Sequence, residues 1–154
     1  MIKKTDLIII SSLRQNAREK LTEMSRKTRI PVSTIFDRIK LHEGGLIKKH
    51  TALVDFGKLG YNTRANIILK VKREHREDVR EFLMKHPSVN SAFKINNGYD
   101  FSIETVFQNI KEVEDFIELL EDKFSIKSKQ VFYVIDELKK EAFLSNPALE
   151  SFGN

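Results

Sequence analysis

The sequence contains no cysteine, which excludes a disulfide framework, a cysteine-based zinc site and a thiolate nucleophile. It has no apolar run near the roughly 18 residues that a membrane-crossing helix needs. The first such run, Leu7-Ile8-Ile9-Ile10, meets Ser11 and Ser12 at once. No signal-peptide pattern is present, because Lys3 and Lys4 lead through that short run straight to Arg14. A Gly-rich phosphate loop, a nucleophile elbow and a close carboxylate pair are also missing. His42, His50, His75 and His86 do not stand at metal-ligand spacing. What remains is a 154-residue chain, 40% hydrophobic, enough for a globular core. The expectation is a soluble, cytoplasmic protein of one or two small domains, with no cofactor, no metal and no membrane partner.

The net charge of +5 is unevenly placed. Residues 1–60 carry 13 Lys+Arg against 6 Asp+Glu, a balance of +7, while residues 61–154 carry 14 against 16, a balance of −2. A basic module joined to a near-neutral one points to a polyanion at the first module only, and nucleic acid is the commonest polyanion.

Within the basic part, Thr5 is a candidate helix cap followed by Asp6 in the first turn. Leu7, Ile10, Leu13 and Ala17 recur at helical spacing. Thr22 opens a second short helix that Ile30-Pro31 closes. Ser33 is placed to cap a third, in which Ile35 and Ile39 share one face and which Gly44-Gly45 ends. Three short helices with a tight connection before the last describe a helix-turn-helix, whose final helix enters the major groove. With Ile35 and Ile39 inward, Ser33, Thr34, Asp37, Lys40 and Leu41 lie outward, flanked by Phe36 and Arg38. Ser33 and Thr34 suit base edges, Asp37 a cytosine amino group or a neighbouring arginine, and Arg26, Lys27, Arg29, Arg38 and Lys40 suit phosphates. An ordinary three-helix domain with a basic solvent face fits the same pattern.

Leu46 to Val54 is extended in character, and Asp55 to Gly60 reads as a turn. Beyond it, Ala65, Ile67, Leu69 and Val71 alternate as a half-buried strand. A helix follows with Val79, Phe82 and Leu83 inward, ending before Pro87. Val89, Ser91, Phe93 and Ile95 alternate again, and Asn97-Gly98 is a strong hairpin signal into Phe101, Ile103 and Thr105. Asn109 caps a helix with Ile110, Val113, Phe116, Ile117, Leu120 and Phe124 at helical spacing, and Val131 to Ile135 forms a last strand. The acidic residues Glu112, Glu114, Asp115, Glu118, Glu121 and Asp122 read as that helix's solvated face. The fold class is therefore α+β: an N-terminal helix-turn-helix (winged-helix-like) domain over 1–50, a linker strand and turn over 51–62, a ferredoxin-like βαββαβ domain over 63–140 and a tail over 141–154. The sheet face away from the helices would show Ile68, Phe132 and Val134 to water, so an obligate dimer is expected. In the tail, Phe143, Leu144, Leu149 and Phe152 either dock or fray.

The runs Asn16-Ala17-Arg18, Leu21-Thr22-Glu23 and Ile30-Pro31-Val32-Ser33-Thr34-Ile35-Phe36-Asp37-Arg38-Ile39-Lys40 resemble the DNA-binding domain of the Lrp/AsnC (leucine-responsive, feast/famine) family of transcription regulators. The likeness continues through Gly45 to Ala52, Leu59-Gly60-Tyr61 and the hairpin segment Gly98-Tyr99-Asp100-Phe101, spanning roughly residues 4–140. It implies a homodimeric regulator of double-stranded DNA that assembles to tetramers or octamers and senses an amino acid through its C-terminal domain. Carried over position by position, Ser33, Thr34, Asp37, Arg38 and Lys40 face DNA, while Asn97, Gly98, Tyr99 and Asp100 lie beside the effector cleft. Arg29 and Phe36 complete the DNA-facing set read from the pattern. Two positions depart from the family. The segment around Lys40-Leu41-His42 is one residue short, leaving Leu41 or His42 to fill a core position that leucine usually takes. Asn96-Asn97 stands where small or hydroxyl residues are frequent.

Backbone N–H groups around Asn97-Gly98 could hold a carboxylate, with Asp100 taking an ammonium group, although a plain type I′ turn explains the same residues and is the preferred reading. Two other functions stay open: a sirohaem-decarboxylase-like enzyme, for which the second module offers only His75 and His86, and an architectural DNA-binding protein without an effector.

Overall fold

The computed structural model describes residues 1–148, so Leu149 and Phe152 of the tail lie outside the described residues. The chain divides into two compact units, one formed by Met1–Leu53 together with the segment from Leu138, the other by Val54–Glu137.

In the first unit, α1 (Lys4–Gln15), α2 (Leu21–Thr28) and α3 (Val32–His42) pack Ile9, Met24 and Ile35 into a small core, with Leu13, Leu21, Ile30 and Ile39 around it. The expected face of α1 is out of phase. Asp6, Ile9 and Ser12 are buried, Leu7 is exposed, and Ala17 lies beyond the helix end. Four consecutive apolar residues fit any helical phase, so Asp6 decides which way the helix turns. Thr5 is not the cap, because α1 already begins at Lys4; instead the Lys3 N–H donates to Asp6 Oδ2 at 2.7 Å. Ser33 is likewise the second residue of α3 rather than its cap, since the helix starts directly after Pro31, whose fixed φ suits a helix entry. The α2 helix stops at Thr28, where Arg29 turns left-handed (φ 61°), two residues before the proline. After α3, the Ile47 N–H returns to the His42 carbonyl at 2.9 Å, with Gly44 at φ 79° making the bend. The segment 48–55 then carries no regular element. Past Leu138 the chain rejoins this unit, where Arg14 donates from Nε to the Phe143 carbonyl at 2.5 Å and from Nη2 to the Glu141 carbonyl at 3.0 Å.

The second unit opens with a short 3-10 turn, Phe56–Leu59. It contains β1 (Thr63–Val71), α4 (Arg76–Lys85), β2 (Val89–Lys94), β3 (Phe101–Phe107), α5 (Ile110–Lys123) and β4 (Ile126–Tyr133). The sheet order is β2-β3-β1-β4, with every neighbouring pair antiparallel. This is the ferredoxin-like arrangement, with both helices on one face. The core is made by Ala65, Ile67, Leu69 and Val71 of β1, Phe101, Ile103 and Phe107 of β3, Val79 and Leu83 of α4, and Val113, Phe116, Ile117 and Leu120 of α5. Asn109 caps α5 as expected, its Oδ1 accepting from the Glu112 N–H at 3.0 Å.

Three expectations shift in detail. A register irregularity between Val89 and Ser91 turns Ala92 toward the core and leaves Phe93 exposed, because one extra residue reverses the faces of everything after it. The last strand begins five residues before Val131, in the lysine-rich stretch Ile126 to Gln130. It is an edge strand, and lysines there block further pairing, so the alternation that identifies inner strands is absent. Ile110 sits exposed at the start of α5 rather than in the core.

On the outer sheet face Phe132 is exposed, but Ile68 and Val134 are only half-exposed, and Asn66, Ser102, Glu104 and Gln130 share the surface. Replacing Ile67, fully buried at the centre of the sheet, by alanine is expected to cost about 2–5 kcal/mol in denaturant titrations. Asn109→Ala, which removes only the cap, should cost about 1 kcal/mol.

Candidate nucleic-acid interface and effector loop

The core side of α3 is fixed by Ile35, fully buried, and Ile39. Ser33, Phe36, Asp37, Lys40 and Leu41 are consequently exposed, and Thr34 is half-buried beside them. Lys40 Nζ lies 5.8 Å from the centre of the Phe36 ring and 3.4 Å from Glu43 Oε2. Arg29 is exposed at the left-handed turn into α3. On α2, Arg26 pairs with Glu23 at 2.7 Å and Lys27 with Glu19 at 2.5 Å. Such surface pairs exchange readily for a phosphate, being worth little in water.

Arg38 departs from its expected place among the phosphate contacts. Its guanidinium turns inward and donates from Nε to Asp6 Oδ1 and from Nη2 to Asp6 Oδ2, both at 2.6 Å. His42 also points inward, its Nε2 standing 3.1 Å from Asp6 Oδ1, while Leu41 is exposed. Of the two residues that could have taken the missing leucine's position, His42 does so. The Arg38 hydrogen bonds hold the Asp6 carboxyl far below the ordinary carboxylate range, overcoming the opposite pull of burial, with help from the Lys3 N–H and His42. Arg38 is held more firmly protonated in turn, chiefly by its bond to Asp6. The sequence offered only Asp6's position in a first turn. Its side-chain partners, Arg38 and His42, lie 32 or more residues away, and local spacing carries no trace of them.

In the second unit the hairpin between β2 and β3 places Asn97 and Gly98 both at positive φ, 63° and 84°, as a type I′ turn requires. The Ile95 N–H donates to the Asp100 carbonyl at 3.0 Å to close it. Asn97 and Gly98 form the exposed tip, and Tyr99 is half-buried, its hydroxyl accepting from Gln130 Nε2 at 2.9 Å. Asp100 is buried. Its Oδ2 accepts from the Val71 N–H at 2.8 Å, and its Oδ1 stands 2.9 Å from Arg76 Nε. That carboxylate is occupied by the chain's own donors, so it does not offer itself to an incoming ammonium group as the sequence pattern suggested.

Near this end of the sheet lies an open groove of about 520 Å³, lined by Lys72, Glu121, Phe124, Ile126, Lys127 and Lys129 among others. These residues come from the end of β1, the end of α5 and the start of β4, and no sequence signal joined them. His86 packs its ring 4.8 Å from that of Phe116 and 5.4 Å from that of Phe82, and burial pushes its imidazole pKa down. His75 meets Phe124 edge-on at 6.5 Å. Both histidines serve an aromatic cluster.

Residues 64–143 match the Lrp/AsnC ligand binding domain. Over 116 residues, 75% of this chain and 77% of the relative, the sequence is 35% identical to the HTH-type transcriptional regulator FL11 of Pyrococcus horikoshii. It is 29% identical over 121 residues to the transcriptional regulator AzlB of Bacillus subtilis, covering 76% of this chain and 77% of that one. Among solved structures, the fold is similar to the transcriptional regulator NMB0573 of Neisseria meningitidis in complex with L-Met. The TM-score is 0.83 at 24% identity, with 91% of this chain and 94% of that one covered. It is similar also to LrpC of B. subtilis, with a TM-score of 0.81 at 22% identity, covering 90% and 98%.

The buried Asp6 predicts an acid-side signature. Its folded pKa is depressed below the unfolded value of about 3.9, so its stabilising contribution is complete above that value and is lost as pH falls through and beneath it. Thermal melts from about pH 4 downward should show a steeper loss for the natural chain than for Asp6→Asn, and the variant should melt lower at neutral pH. Equal acid slopes would contradict the pairing.

Proposed function

The chain belongs to the Lrp/AsnC family of helix-turn-helix transcriptional regulators, and on that premise we propose that α3 reads the major groove through Ser33, Thr34, Phe36, Asp37 and Lys40. The observation that carries this is the division of α3 itself. Ile35 and Ile39 are held in the core and Arg38 is held by Asp6, so the remaining side chains are presented together on the outer face. Arg29 and Lys40 take phosphates, and Ser33, Thr34 and Asp37 take base edges. Arg38 is reassigned from phosphate contact to holding the helix.

We further propose that the protein works as a homodimer, joined through the outer sheet face around Phe132 and Phe93, and that dimers assemble further to tetramers or octamers. An isologous pair then reads a pseudo-palindrome with half-sites one helical turn or a multiple apart. The hairpin Asn97-Gly98-Tyr99 is proposed as the wall of an amino-acid effector site. Asp100 supports that wall from behind and does not contact the ligand. The relatives are named as transcriptional regulators, and no catalytic step is assigned to this chain. Among the described residues no helix is long and apolar enough to cross a membrane, and the protein is proposed to act on DNA in the cytoplasm.

DNA protection over the protein's own upstream region at low salt tests the central reading, and absence of any footprint would sink it. Each phosphate contact contributes about 0.9 to the slope of log affinity against log salt. Lys40→Ala should therefore lower that slope by about 0.9 per protomer, whereas Arg38→Lys should leave it unchanged. A thermal-shift screen across the twenty amino acids should reveal at least one that raises the melting temperature or changes assembly size; silence from all twenty removes the effector site.

A further inference from the structure

Of the exposed apolar residues of α3, Val32 and Leu41 lie near the helix ends, and Phe36 lies between them, where hydrogen-bonding readout does not explain it. Phe36 is 50% exposed. Its neighbours at helical spacing are Val32 and Ser33 one turn earlier and Lys40 one turn later, with Asp37 next in sequence, all exposed. The Lys40 ammonium lies 5.8 Å from the ring centre, a cation–π distance that favours one orientation of the ring along the helix surface. Phe36 belongs to neither the buried core of the helical unit nor its half-buried margin. The ring therefore stands in the middle of the surface proposed to enter the groove, one turn from the helix start, where recognition helices meet base edges.

The major-groove edges of the four bases are donors and acceptors with a single apolar exception, the C5-methyl group of thymine. We propose that Phe36 is a specificity-determining residue that covers a thymine methyl group in each half-site. Ser33 and Asp37 flank it with hydrogen-bonding groups for the adjoining pairs, and Lys40 holds the ring while reaching the backbone. This inference rests on the groove-reading role of α3 proposed above and goes beyond it by fixing the chemical group that one side chain reads.

The experiment uses the full chain. Fragments bound by the protein are selected from random-sequence DNA, and each thymine of the selected half-site is replaced singly by deoxyuridine, which removes the methyl group and nothing else. Covering one methyl group is worth about fourfold in affinity. At one position per half-site, the natural protein should lose about that factor. Phe36→Ala should be indifferent to the replacement while keeping its melting temperature and salt slope, and Phe36→Leu should retain part of the preference. Selected sites at which no methyl group matters would overturn the proposal. So would a methyl effect of the same size in Phe36→Ala. If no sequence is selected above non-specific binding, the groove-reading role itself fails and takes this inference with it.

Discussion

Three hydrogen bonds converge on the buried carboxylate of Asp6, two from Arg38 nitrogens and one from the Lys3 backbone, and the His42 ring stands 3.1 Å away. Among the described residues, the helical unit around it has three fully buried apolar residues, Ile9, Met24 and Ile35. So small an apolar contact leaves helices free to slide and rotate against one another, because dispersion and apolar burial have little direction. A bidentate pairing does not share that freedom, since both oxygens and both nitrogens must stay in one plane. Asp6 thus sets the rotation of α1 about its axis and, through Arg38 and His42, the rotation of α3. Buried ion pairs contribute little net stability against their desolvation; here the gain is in which single arrangement is adopted.

The second unit repeats the device with a different purpose. Asp100 is anchored by the Val71 N–H and by Arg76, which ties the return of the hairpin to the end of β1 and the beginning of α4. The Asp100 N–H meanwhile donates to the Leu69 carbonyl at 2.8 Å. Three elements therefore meet at one side chain directly behind the Asn97-Gly98 tip. A loop backed in this way presents its exposed N–H groups in one geometry, and preorganisation of that kind lowers the ordering cost of binding a small ligand.

Much of this was legible in the residues. Alternation marked β1 and β3, Asn-Gly marked the hairpin, Asn109 marked the start of α5, and the Ile35–Ile39 pair gave the inward side of α3. Each of these signals is local, set by a period or by a backbone angle. What escaped was set at a distance. The phase of α1 depends on a partner 32 residues away. The side that Phe93 faces depends on an irregularity in β2. The lysine-rich beginning of β4 gave no alternation because an edge strand is selected against further pairing as much as for burial. In the sequence Arg38 reads as a phosphate contact because it is a cation on the third helix of the basic module, and charge alone does not say which way a side chain turns.

Arg14 grips the backbone carbonyls of Phe143 and Glu141, so the helical unit is completed by residues that follow the sheet. The ferredoxin-like unit is thereby an insertion within the helical one, entered at Val54 and left at Glu137. A domain appended through a single linker can change shape without displacing anything beyond that linker. An inserted domain is joined to its host at two points, so cutting either linker alone leaves the two units covalently attached.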